Sequence, residues 1–149
     1  MVKIFNKLFS ALLVLVIIVL VVFLVLKSLN IINIYNVETG SMEDEIHSGD
    51  YVLLHKTNDY NVGDVVTYKF DDYFITHRII KIEGEKVTTR GDANNIVDDE
   101  ISISQIVGKV IYCGGILNYI INYRFVIAAF LIGLYLLSCY FESSKKIEE

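Results

Sequence analysis

Proline is absent from the 149 residues, and so is tryptophan. Without proline there is no collagen repeat and no polyproline linker. Cysteine occurs only at 113 and 139, too sparsely for a disulfide-stapled scaffold. Two unpaired thiols are the simpler reading. Basic residues are also short: thirteen Lys and Arg stand against eighteen Asp and Glu, a net charge of −5. A nucleic-acid surface needs clustered Lys and Arg, so this balance argues against that class of partner. Apolar residues are in excess instead. They make up 54% of the chain, above the roughly 45–50% of an ordinary soluble domain, and the mean hydropathy is +0.50. Disorder is thereby excluded, and a soluble cytoplasmic enzyme is disfavoured.

The excess lies at the two ends. Leu8 to Leu26 carries no charge and is bracketed by Lys7 and Lys27. Nineteen helical residues reach roughly 28 Å, close to the ~30 Å hydrocarbon core. A secretory leader usually has a shorter apolar core of ~7–15 residues and a small-residue cleavage site. Neither fits here, so an uncleaved transmembrane helix over 8–26 is expected. A second transmembrane segment is expected over 116–141, with its core at 125–141. The positive charges nearest the spans set the orientation. Lys3 and Lys7 precede the first span, and Lys145 and Lys146 follow the second. Residues 28–123 hold seven Lys and Arg against fifteen Asp and Glu. Tails 1–7 and 142–149 are therefore expected in the cytoplasm, with segment 27–115 on the extracytoplasmic face.

That middle segment reads as strands. Tyr51–Lys56, Asp64–Phe70, Tyr73–Lys81, Lys86–Arg90 and Ile106–Tyr112 are rich in Val, Ile, Tyr and Thr. Gly, Asn and Asp mark turns between most of them. No helical period appears between residues 36 and 112. Gly114-Gly115 is the expected hinge to the second span. The fold class expected is a membrane-anchored all-β protein, a small β-domain between two transmembrane helices.

Three clusters within it can carry chemistry. Glu38-Thr39-Gly40-Ser41-Met42 places a serine on a glycine turn, a setting that is usually only a turn. Thr76-His77-Arg78 places a histidine in a strand. Serine is a poor nucleophile at neutral pH and needs a neighbouring base, and histidine is the usual one. Lys81, about 13 Å along the same strand at ~3.3 Å per residue, is the alternative base. Arg90-Gly91-Asp92 through Asp98-Asp99 is an acidic loop. By itself it is a solvated turn; beside a histidine, one carboxylate would orient and charge the ring. The residues alone leave Asp92, Asp98 and Asp99 open for that part.

Together, and in this order behind a leading span, these clusters resemble type I signal peptidase in its Ser–His form, the endoplasmic-reticulum and archaeal type of peptidase family S26. The resemblance covers about residues 5–112. Gly40-Ser41-Met42 with Gly49-Asp50 looks like the nucleophile box, Asp64-Val65-Val66 the following strand, Thr76-His77-Arg78 the base box, and Gly91-Asp92 to Asp98-Asp99 the acid box. It implies a coiled β-domain of the signal peptidase/LexA-like kind. It implies Ser41 as nucleophile, His77 as base and Asp98, six residues after Asp92, as the acid, with Asp92 and Asp99 as supporting or alternative acids. The Ser41 N–H and the Thr39 hydroxyl would serve the oxyanion, and Met42 and Val37 the walls of a substrate pocket. Two departures stand out. Asp44 occupies a place where the family usually has proline, and Thr39 one where it usually has serine.

The activity implied is removal of N-terminal signal peptides from secreted precursors at the lipid bilayer, with no cofactor and no metal. Eukaryotic forms work with accessory subunits; prokaryotic forms need none. A rival from another class is a non-enzymatic anchored β-domain acting as a scaffold or assembly factor. It accounts for spans and strands, but gives no reason for Ser41, His77 and Asp98 to converge. A membrane serine protease with other substrates is a second rival, separated by the small residues that signal peptidases require before the cut.

Overall fold

The computed structural model describes residues 2–147. Side chains are described from Leu8 to Tyr140 except Ser138, so the expected tails 1–7 and 142–149 fall outside the described side chains. In chain order the elements are α1 (Val2–Ser28), β1 (Ile32–Asn36), β2 (Tyr51–His55), β3 (Val65–Phe70), β4 (Tyr73–Glu83), β5 (Lys86–Arg90) and β6 (Ile101–Ser102). A 3₁₀ turn (Ile103–Gln105), β7 (Ile106–Cys113), α2 (Gly115–Asn122) and α3 (Arg124–Ile147) follow. The chain forms two compact units, Leu24–Asn118 and the helical residues before and after it.

The larger unit is one antiparallel sheet in the order β1-β2-β7-β3-β4-β5-β6. β7 is the last strand in sequence yet sits in the middle, bonded to both β2 and β3. Successive strand residues point to opposite faces, and the apolar pattern follows. Adjacent Val65 and Val66 go to different cores. Val65 joins Val37, Met42, Ile46, Val52 and Leu54; Val66 joins Tyr68, Ile79, Val87, Ile101 and Ile106. Four successive residues of β3, Val65 to Tyr68, are buried, so this strand is covered on both faces.

The five strands read from the sequence are present, with ends shifted by no more than two residues. Two strands were not anticipated. β1 alternates Ile32 and Ile34 with asparagines but directly follows the long apolar run. β6 has two residues and leads into a turn closed by Ser102 and Gln105, each side chain bonding the other's backbone end. Gly114 and Gly115 both adopt left-handed φ, 56° and 50°, at the junction of β7 and α2.

In the helical unit, Leu8–Ser28 of α1 is long and apolar enough to cross a membrane. The second expected segment takes another form. α2 and α3 are bent by 70° at Tyr123, and among the described residues Gly115–Asn122 and Arg124–Leu137 reach the length and apolarity of a span as a pair. The uncharged stretch 116–123 therefore does not extend the 125–141 run as one straight helix. The asparagines at 118 and 122 and Arg124 lie around the break, where backbone and side-chain polar groups are costly in hydrocarbon.

Candidate active site

Ser41 sits in a tight turn anchored from below. Met42 and Ile46 are fully buried, and Ile46 N–H donates to the Met42 carbonyl at 2.9 Å. Val37 and Gly49 close the base of the same loop through a 2.7 Å backbone bond. Met42, expected from sequence as a pocket wall, is fully buried and is not among the residues lining the groove beside Ser41; its side chain is the peg that holds the serine turn on the core. An unbranched, adaptable side chain suits that use.

β4 supplies the histidine. In register, His77 lies opposite Val66 of β3, and only 6% of it is exposed. Its Nε2 stands 2.9 Å from Ser41 Oγ and its Nδ1 2.5 Å from Asp98 Oδ2. A carboxylate only accepts, so Nδ1 carries the proton and Nε2 presents its lone pair to the serine hydroxyl. Thr39 Oγ1 lies 3.3 Å from Ser41 Oγ.

The three carboxylates left open by sequence have separate surroundings. Asp98 reaches the imidazole. Asp92 forms a two-point ion pair with Arg78, Nε to Oδ1 at 2.9 Å and Nη2 to Oδ2 at 2.7 Å. Asp99 is exposed and lies with Asp98, Tyr68, Phe70, Ile75 and Val97 on a second, smaller cavity of about 300 Å³. Lys81, the alternative base, is an exposed residue paired with Glu83 at 2.9 Å.

The loop after β5 is fitted tightly against the serine. Ala93 N–H donates to the Ser41 carbonyl at 3.0 Å. A Cβ on Gly91 would stand 2.5 Å from that carbonyl oxygen and 2.9 Å from His77 Nε2. Only glycine lets the acidic loop come this close.

Two buried hydroxyls complete the cluster, and the sequence reading missed both. Thr89 Oγ1 donates to Asp98 Oδ2 at 2.7 Å, and Tyr68 Oη lies 3.3 Å from the same oxygen. Burial, with the Asp98 charge adding to it, pushes the Tyr68 phenol up to about 12, so it stays a neutral donor. Arg78 is held even more firmly charged than usual, chiefly by its hydrogen bond to Asp92. Ser41 and His77 open onto a groove of about 800 Å³. Val37 is on its wall with Tyr35, Phe74, Ile75 and Thr76. Among the described residues no cluster of His, Cys, Asp and Glu is arranged to hold a metal ion.

No curated protein matches the chain. The family model described as signal peptidase, peptidase S26, matches residues 8–110. That stretch contains most of α1, the serine turn, the histidine strand and the acidic loop, and it is more than half of the sequence. Family and site meet in the same residues: the chain belongs to the signal peptidases of peptidase family S26, a family of peptide-bond hydrolases.

Proposed function

We propose that this protein is a membrane-bound serine endopeptidase that removes N-terminal signal peptides from secreted precursors through a Ser–His–Asp acyl-enzyme route. One observation carries the proposal. Ser41 Oγ, His77 and Asp98 form a continuous hydrogen-bonded line of 2.9 and 2.5 Å. Ser41 attacks the scissile carbonyl while His77 Nε2 takes its proton. The carbon–nitrogen bond then breaks, and His77 returns that proton to the leaving amine. Water, deprotonated in turn by His77, releases the acyl group from Ser41. Asp98 holds the ring and stabilises its charged form. The Ser41 N–H, with the Thr39 hydroxyl, receives the negative oxygen; one such donor is typically worth ~3–4 kcal/mol in the transition state.

The groove suits an extended chain. β1 is an edge strand, and its last residues Tyr35 and Asn36, with Val37 just beyond them, line the groove beside Ser41. An extended precursor segment can add to such an edge through backbone bonds. α1, as a transmembrane anchor, would hold the site where the cleavage site of a precursor leaves the bilayer. The test is processing of a precursor with small residues before its cut site by membranes carrying wild type, Ser41→Ala or His77→Ala. Mature product is expected from wild type alone. Unchanged processing by Ser41→Ala, in a background without other signal peptidases, would favour the non-enzymatic scaffold.

A further inference from the structure

We infer that Thr89 is a positioning residue for the acid, with Tyr68 as its second: together they fix Asp98 against His77 and share its charge. This rests on the Ser–His–Asp reading of the site. Thr89 grips Asp98 at two points. Its carbonyl accepts the Asp98 N–H at 2.9 Å, and its hydroxyl donates to Asp98 Oδ2 at 2.7 Å. Asp98 lies in a loop without regular structure between β5 and β6, so its own backbone does not fix the carboxylate. Thr89 lies in β5, fully buried, and faces Ile79 of β4 in register. The strand pairing that places His77 therefore also places the group that holds its acid.

Tyr68 supplies the second contact from β3. Its hydroxyl lies 3.3 Å from both Asp98 Oδ2 and Thr89 Oγ1, and its ring meets the imidazole edge-on at 6.5 Å. The two hydroxyl-bearing residues are shielded, with Tyr68 2% and Thr89 0% exposed, while the Asp98 side chain keeps 21%. A hydrogen bond to a charged group counts most where water cannot replace it. A valine at 89 would keep the shape and backbone bond but lose the hydroxyl. Asp98 would then be less fixed, and more of its charge would fall on the imidazole. The ring would be harder to deprotonate, so the acidic limb of the rate profile would move to higher pH. The groups facing the imidazole are Ser41 from the turn, Asp98 from the loop and Tyr68 from β3. Tyr35, Glu38, Asp72 and Tyr73 are the other ionisable groups on the groove, and Arg78 with Asp92 and Glu45 forms a separate ion cluster.

The experiment measures precursor cleavage by the full-length protein in detergent or vesicles across pH, for wild type, Thr89→Val, Thr89→Ser, Tyr68→Phe and Ser41→Ala. For Thr89→Val, kcat is expected to fall about 10- to 100-fold with KM little changed, the size of one lost bond to a charged group. Its acidic limb moves up in pH. Thr89→Ser, which keeps the hydroxyl, returns both toward wild type, and Tyr68→Phe gives a smaller change in the same direction. Full activity in Thr89→Val overturns the inference. So does a loss that Thr89→Ser shares, or a loss with an unmoved limb, since those describe packing alone. If Thr89→Val does not fold, Tyr68→Phe and Thr89→Ser decide by the same limb. An active Ser41→Ala would instead remove the underlying reading, so the two failures are distinct.

Discussion

Asp44 takes a φ of 84° in the turn that follows Ser41. Proline is locked near −65°, so the proline usual at this place in the resemblance cannot be seated in this backbone. The structure shows a turn of another shape, held by Met42 and Ile46 in the core. Asp44→Pro is therefore expected to lose about 3 kcal/mol or more of stability, with processing lost. Asp44→Gly relaxes the left-handed strain but frees the unfolded chain, and is expected to stay within about 1 kcal/mol of wild type with processing retained. Thermal unfolding in detergent and a processing assay check both; an active, stable Asp44→Pro would show that the turn tolerates a different φ. At this scale the sequence was legible where residue type carries chemistry. Ser41 and His77 stood out because a nucleophile needs a base. The choice of Asp98 rested on the family's spacing, and Thr89 and Tyr68 left no mark, because a buried threonine in a strand is ordinary. Residue type does not settle the part of Met42 either: a peg and a pocket wall differ only in which way the side chain turns.

Arg78 shows how β4 does more than hold the histidine. Next to His77 and on the opposite face, its guanidinium reaches the Gly63 carbonyl at 2.8 Å, Asp92 at two points, and Glu45 in the serine turn. One side chain thus ties the turn, the loop before β3 and the acidic loop to a single strand. The fork geometry decides which partner counts. A planar guanidinium matches a carboxylate at two points and an ammonium does not. Arg78→Lys is expected to cost about 1–3 kcal/mol despite keeping its charge. Glu45, whose side chain is 58% exposed, is expected to contribute under ~1 kcal/mol, so Glu45→Gln changes little. Unfolding midpoints of the two variants test this order, and an equal or larger loss in Glu45→Gln would reverse it. Elements were the most legible level of the sequence, since runs rich in Val, Ile, Tyr and Thr bounded by turn residues mark β2, β3, β4, β5 and β7. β1 was hidden because its alternation runs straight on from an apolar helix, and β6 because two residues show no period. The bend at Tyr123 was hidden because hydropathy measures how apolar a stretch is and not its direction.

For the whole molecule, the proposed activity depends on which side of the membrane Ser41 faces. Leu8–Ser28 has 21 residues, roughly 32 Å of helix against a ~30 Å hydrocarbon core. Lys3 and Lys7 at one end outnumber Lys27 at the other, and the domain beyond carries more than twice as many acids as bases. By the rule that positive charge stays inside, the β-domain is expected on the outer face. This expectation rests on charge, because the fold of the domain would be the same on either side. A labelling experiment reads it directly. In a Cys113→Ser, Cys139→Ser background, a single cysteine replaces either Asn58, exposed in the loop between β2 and β3, or Lys3. An impermeant maleimide is expected to label Asn58→Cys in intact cells, and Lys3→Cys only after the membrane is opened. The reverse pattern would put the Ser41–His77 pair in the cytoplasm. A precursor's cleavage site emerges on the far side of the membrane, so the pair would never meet it. The chain could then keep every contact in its site and still not be a signal-peptide-processing enzyme, and a search for cytoplasmic substrates would have to replace the precursor assay.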